Sequence, residues 1–168
     1  MALMSEVEPV NKNKLKDKII TELESQLNVL SHSADDAKTE SFQETNVPLS
    51  QTDHRALEAG LLAKAQTQRV EQFQNVIQLF KNLPVKDFQS NDEIQPSALV
   101  ELEHLGKTHF YFLGLQGAGT MVQCDGHPVE VITPKSPLGE ELLDKHVHDE
   151  ILVDSPKGLQ EYKIKSIA

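Results

Sequence analysis

The sequence predicts an α+β protein in which an N-terminal antiparallel helical hairpin precedes a compact β-rich domain. Three observations lead there. Two stretches, each roughly 30 residues long, repeat apolar residues alternately three and four apart, the spacing of a helical seam. A polar break containing Pro48 separates them. After Pro84 the pattern changes to short alternating or aromatic runs divided by Gly, Pro, Asp and Asn, which reads as a set of short strands.

The first eleven residues are polar and interrupted by Pro9, and are expected to be a flexible N-terminus. From Lys12 the seam of the first helix runs Ile20, Leu23, Leu27, Leu30, Ala34 and Ala37. Leu15 and Ile19 widen it at the start, and Lys16, Asp17, Glu22 and Glu24 fill the remaining faces. The segment 46–50, Asn-Val-Pro-Leu-Ser, is a turn: Pro48 lacks a donor and keeps the preceding residue out of the α region. Thr52 or Asp53 can cap the second helix. Its seam is expected at Ala59, Leu62, Gln66, Arg69, Phe73, Val76, Phe80 and Leu83, with Gln66 and Arg69 as polar seam positions that set register. Pro84 stops it. Two such helices span roughly 45 Å each at about 1.5 Å per residue, and a short connection makes them antiparallel neighbours. With both stripes packed on each other the chain is expected to be monomeric.

Residues 12–84 are thus read as the hairpin and 85–96 as a linker. Residues 97–168 form the β-rich domain. Within it, 98–103, 108–113, 121–124 and 128–133 are strands, with Asp125-Gly126 as a hairpin turn. Ser136 can cap a short helix with Pro137 at its first position, running to about Lys145. Two further strands, 150–153 and 161–167, flank a turn at 156–158.

Composition bounds the partner class. The chain has 168 residues, 38% hydrophobic and 5% aromatic with no Trp, which argues against one large core. Its net charge is −10, shared evenly by the two sides of Gln95, so neither half has the basic excess that neutralises phosphates. A protein partner with a basic surface fits better. Cys124 is the single cysteine, which excludes an intramolecular disulfide and a four-cysteine zinc site and suits a reducing cytoplasm. No apolar run approaches the roughly 20 residues of a membrane span, and no signal-peptide pattern is visible at the N-terminus.

The run 131–151 reads Val-Ile-Thr-Pro-Lys-Ser-Pro-Leu-Gly-Glu-Glu-Leu-Leu-Asp-Lys-His-Val-His-Asp-Glu-Ile. It resembles the bacterial Gre transcript-cleavage factors, whose C-terminal domain carries I-S-P-x-S-P-(I/L)-G-x-A-L-(L/I)-G-K-x-V-G-D-E. Ser136, Pro137, Leu138, Leu142, Leu143, Lys145, Val147 and Asp149 match, and Tyr162-Lys163-Ile164 resembles the family's closing strand. The resemblance implies an FKBP-like C-terminal fold that docks on RNA polymerase near its secondary channel, and a coiled coil that enters the channel. It also implies no stand-alone enzyme: such factors stimulate the polymerase's own RNA cleavage. Ser136, Pro137 and Leu138 lie at the family's partner contact, beside their role in capping and packing.

At the hairpin tip the family carries G-D-L-x-E-N-A-E-Y, whose Asp and Glu help hold a magnesium ion shared with the polymerase. Two carboxylates at one tip can bind a hard cation, which activates water. In this chain Asp53 matches the family aspartate, but Ala56 stands where the glutamate belongs, and Glu58 is displaced to another helical face. Asp53 and Glu58 are therefore weak candidates for a catalytic or metal site. A channel-occupying modulator without cleavage activity is the alternative, and a peptidyl-prolyl isomerase or chaperone is a more distant one. A second departure is His148, which replaces the glycine of the family's Val-Gly-Asp turn and adopts positive φ less easily.

Other clusters read blandly. His146, His148, Asp149 and Glu150 could suggest a metal site but sit at a helix-to-strand turn. The glycines at 114, 117 and 119 resemble a phosphate loop only faintly, because no helix and no Lys-Ser/Thr pair follows.

Overall fold

The computed structural model describes residues 10–43 and 52–168. The element order is α1 (Lys12–Gln43), α2 (Thr52–Asn82), β1 (Leu99–His104), β2 (Lys107–Leu113), β3 (Met121–Cys124), β4 (His127–Ile132), α3 (Pro137–Leu142), β5 (Glu150–Ser155) and β6 (Gly158–Ile167). The class is α+β, as the sequence predicts. The connection between the two long helices, with its turn around Pro48, lies outside the described residues, as do residues 1–9 and the seam side chains of Ala34 and Ala37.

The chain divides into two compact units. One is 21–78, the body of the helical pair. The other joins 79–168 to the N-terminal residues through Ile20.

In the helical unit the seam of α2 differs from expectation. Ala59, Gln66, Phe73 and Val76 are partly buried as predicted, but Ala63 and Val70 turn inward rather than Leu62 and Arg69, and Ile77 is buried next to Val76. Leu62 is 57% exposed and Arg69 is also exposed, whereas Ile77 is buried. Both series alternate three and four residues around the same seven-residue repeat, and the more apolar of the two, Ala63-Val70-Ile77, turns inward. Arg69 therefore sets no register. Gln66 does lie in the seam, with a buried Oε1 that lacks a partner.

The second unit is built on a six-stranded sheet of order β3-β4-β2-β1-β6-β5. Only the β2–β4 pair is parallel. The parallel pair needs a crossover, which the loop after Leu113 and strand β3 supply. Strand alternation sends Val100, Leu102, Leu113, Ile132, Ile151, Val153 and Ile164 into one core, closed by Leu142 of α3. The opposite face buries Leu99, Phe110, Phe112, Val122, Val129 and Val131. Phe80, from the last turn of α2, packs its ring 6.4 Å from that of Phe112. A side chain at Gly114 would come within 2.9 Å of Phe80, so this glycine allows the close approach. Burying a ring such as Phe80 contributes about 2–3 kcal/mol.

Residues 85–96 do more than connect. Ile94 is fully buried in the sheet core, its N–H donating to the Lys145 carbonyl (2.9 Å) and its own carbonyl accepting from Asp144 N–H (3.1 Å). Apolar burial at Ile94, with Phe88 partly buried against the same core, ties the segment to the domain.

The first two turns of α1 belong to this unit too. Leu15 and Ile19, one helical turn apart, are completely buried. Two lysine rows flank them. On one side Lys12 Nζ donates to the Lys86 carbonyl and lies 4.7 Å from the centre of the Phe88 ring. Lys16 Nζ donates to the carbonyls of Lys81 (3.0 Å) and Leu83 (2.8 Å), satisfying oxygens at the end of α2. On the other side Lys14 pairs with Asp125, and Lys18 Nζ donates to the Gln123 carbonyl at 2.6 Å. Asp125 also accepts from the Asn11 N–H at 3.3 Å. Lys16, expected on an outward polar face, is instead an anchor. A lysine stem lies along apolar surface while its head finds oxygen.

Candidate functional site

The run 131–151 folds into a corner between β4 and β5. Ser136 has the extended backbone of an N-cap (φ −78°, ψ 151°), and its Oγ accepts from Gly139 N–H at 3.1 Å while donating to the Thr133 carbonyl at 2.7 Å. Pro137 occupies the first helical turn, where its missing N–H costs nothing. Gly139 is buried, and a Cβ there would stand 1.9 Å from the Thr133 carbonyl oxygen. Leu138 packs half-buried against the core, while Pro137 is exposed.

The helix is shorter than expected and ends at Leu142 rather than near Lys145. Leu143 turns extended (ψ 137°) and Asp144 enters the left-handed region at φ 61°. His148 does the same at φ 76°. Asp144 and His148 stand where the family run has its two later glycines. The turns are kept in glycine-type conformations by non-glycine residues, held by hydrogen bonds from His148 N–H to the Ile164 carbonyl (2.9 Å) and from Ile164 N–H to the Asp149 carbonyl (3.0 Å). The departure at Asp144 is as informative as that at His148, and the motif comparison alone could have located it.

Asp149 spends its carboxylate on this turn, accepting from His146 N–H at 2.8 Å. The His146 ring stands 3.9 Å from the same oxygen, and among the described residues no cluster of three or more His, Cys, Asp or Glu forms that could hold a metal. Around the corner Glu140, Glu141, Asp144 and Glu150 are exposed, against one exposed lysine, Lys135, so acidic side chains predominate on the outward surface.

At the other candidate region, Asp53 lies in the first turn of α2 and its side chain is outside the described residues. Ala56 and Glu58 are both exposed. Five residues along a helix turn Glu58 about 140° away from Asp53. With Ala56 at the position of the family's glutamate, this turn supplies no carboxylate three residues on from Asp53. Beside them Leu57, Leu61 and Leu62 are exposed to 62%, 59% and 57%.

Of the residues that anchor the start of α1, the sequence marks Asp125 only as part of a turn and does not mark Lys14 or Lys18. The lysine alternation at 12, 14, 16 and 18 was the available signal.

Comparison with known proteins bears on the region of the corner. Residues 89–168 match the family described as Transcription elongation factor, GreA/GreB, C-term. No curated protein sequence matches the chain. Among solved structures, GreA factor homolog 1 (Gfh1) of Thermus thermophilus is 18% identical, with 89% of this chain and 94% of that one covered and a TM-score of 0.38. Thermus aquaticus Gfh1 is 20% identical, over 86% and 90%, with a TM-score of 0.40. A prokaryotic transcription elongation factor GreA/GreB from Nitrosomonas europaea is 19% identical, over 71% and 97%, with a TM-score of 0.37. No helix of the described residues is long and apolar enough to cross a membrane. Residues 89–168, just under half of the chain, therefore form a C-terminal domain of the GreA/GreB family of transcription elongation factors.

Proposed function

We propose that this chain binds RNA polymerase near its secondary channel and modulates elongation, with the C-terminal domain supplying affinity and the helical hairpin reaching the channel. The observation that carries this is the corner at Thr133–Gly139, where capping, proline placement and the glycine contact all hold the family run in shape. Pro137 and Leu138 are the proposed contact residues, with Ser136 fixing their position. The acidic rim at Glu140, Glu141, Asp144 and Glu150 suits a basic patch on the partner.

Within that role we favour occupation of the channel over stimulation of cleavage. Ala56 stands where the resemblance places the second tip carboxylate and Glu58 falls on another helical face, which supports a tip without the paired oxygens that a shared magnesium needs. The test is a transcript-cleavage assay on a backtracked elongation complex, with polymerase pull-down in parallel and Asp53→Ala as the variant. Binding without cleavage is expected, and no change in the variant. Magnesium-dependent cleavage lost in Asp53→Ala would restore the cleavage reading. Absence of binding would overturn the proposal, leaving a shared fold.

A further inference from the structure

We infer that the first two turns of α1 and the β3–β4 hairpin form a charge-operated clasp over Cys124, which opens locally while the sheet core stays folded. The clasp has a specific construction. Lys14 and Lys18, one helical turn apart, reach Asp125 and the Gln123 carbonyl, which flank Cys124 in sequence. Asp125 gathers three donors, Lys14 Nζ, Asn11 N–H and, at 3.7 Å, the Cys124 thiol. Cys124 itself is fully buried.

The strength of the clasp is uneven. Leu15 and Ile19 are the fully buried apolar residues in the first two turns of α1, with Val10 buried just before them, whereas the contacts of Lys14 and Lys18 to β3–β4 are ionic or to a carbonyl, and the Lys14 side chain is 55% exposed. Such contacts are weakened by salt and worth little singly, so they mark the low-stability end of a domain. Strand β3 is also an edge strand of four residues, paired only to β4. Loss of the lysine charges leaves it that pairing and the burial of two side chains, Val122 and Cys124. The core around Val100, Leu102 and Ile164 lies on the other face of the sheet and does not depend on it.

Because the chain has one cysteine, the thiol reports the clasp directly. The experiment measures the rate at which an aromatic disulfide reagent labels Cys124 in the native full-length protein. The comparison is between the unaltered chain, Lys14→Gln/Lys18→Gln, and Lys107→Gln as an exposed lysine outside the clasp with a similar change of charge. The clasp variant is expected to label roughly fivefold faster or more, and the unaltered chain to speed up likewise from low to high salt. The urea midpoint of the core should move little, and Lys107→Gln should behave as the unaltered chain. Labelling that is insensitive to salt overturns the inference. So does labelling that rises only in proportion to the loss of global stability, since exposure would then require complete unfolding. The salt series on the unaltered chain decides the matter even if the double variant folds poorly. Polymerase binding plays no part in this readout.

Discussion

Gly139 sits so close to the Thr133 carbonyl that a Cβ on it would overlap the oxygen at 1.9 Å. The obstacle is backbone, not a flexible side chain, so no rotamer relieves it. Gly139→Ala is expected to destabilise the domain by about 3 kcal/mol or more, the upper range for overpacking. Urea unfolding would measure it. A variant with unchanged stability would show that the 133–139 corner is softer than its geometry indicates.

Ser136 holds the same corner from the other side, accepting from Gly139 N–H and donating to the Thr133 carbonyl. Ser136→Ala removes both bonds and should cost about 1 kcal/mol, typical of an N-cap. Ser136→Asp should recover much of the cap by accepting the same N–H but cannot donate to Thr133, so thermal unfolding is expected to place it between the two.

Ser97 presents the opposite case. It is 1% exposed, its Oγ has no partner, and its φ is 78°. Glycine at this place relieves the left-handed strain and removes an unpaired buried hydroxyl, so Ser97→Gly should stabilise by about 1–2 kcal/mol. A lower melting temperature would mean that the hydroxyl is satisfied by a buried water.

The two left-handed positions in the 143–149 turn make a graded prediction. His148→Gly should stabilise by about 1 kcal/mol, and Asp144→Gly by less, because a short polar side chain tolerates φ near 60° better than imidazole does. Differential scanning calorimetry on the two variants checks the order.

Lys12 gives a pH dependence. Burial of its ammonium lowers its pKa from the usual 10.5 to about 8, partly opposed by Asp87. Between these values the unfolded chain binds the proton and the folded chain does not. This residue's contribution to stability therefore rises with pH from about 8 to 10.5 and is flat below 8. Lys12→Met should flatten that rise, seen as a smaller difference in urea midpoint between pH 7.5 and pH 10. An identical slope in the variant would assign it to other groups.

Much of this architecture was legible along the chain because its signals are local. The Asp125-Gly126 turn, the capping Ser136, the stop at Pro84 and the alternation in 98–113 depend on neighbouring residues, and each appears where those neighbours place it. The acidic corner and the missing tip carboxylate at Ala56 are local as well. What the sequence could not decide was the partner of each surface. Periodicity placed the alternate seam positions of α2 at Leu62, Arg69 and Val76, and burial moves the first two to Ala63 and Val70 and adds Ile77, because a seven-residue repeat fixes one position per turn and only packing selects the other. It likewise set Lys16 on an outward polar face and gave no role to Lys12, Lys14 and Lys18. In the fold they reach backbone carbonyls and Asp125, with sequence separations from 65 to 111 residues for the contacts of Lys14, Lys16 and Lys18. A charge on a helix is read as solvent-facing until the fold brings an oxygen to it, and that meeting is a property of tertiary structure alone.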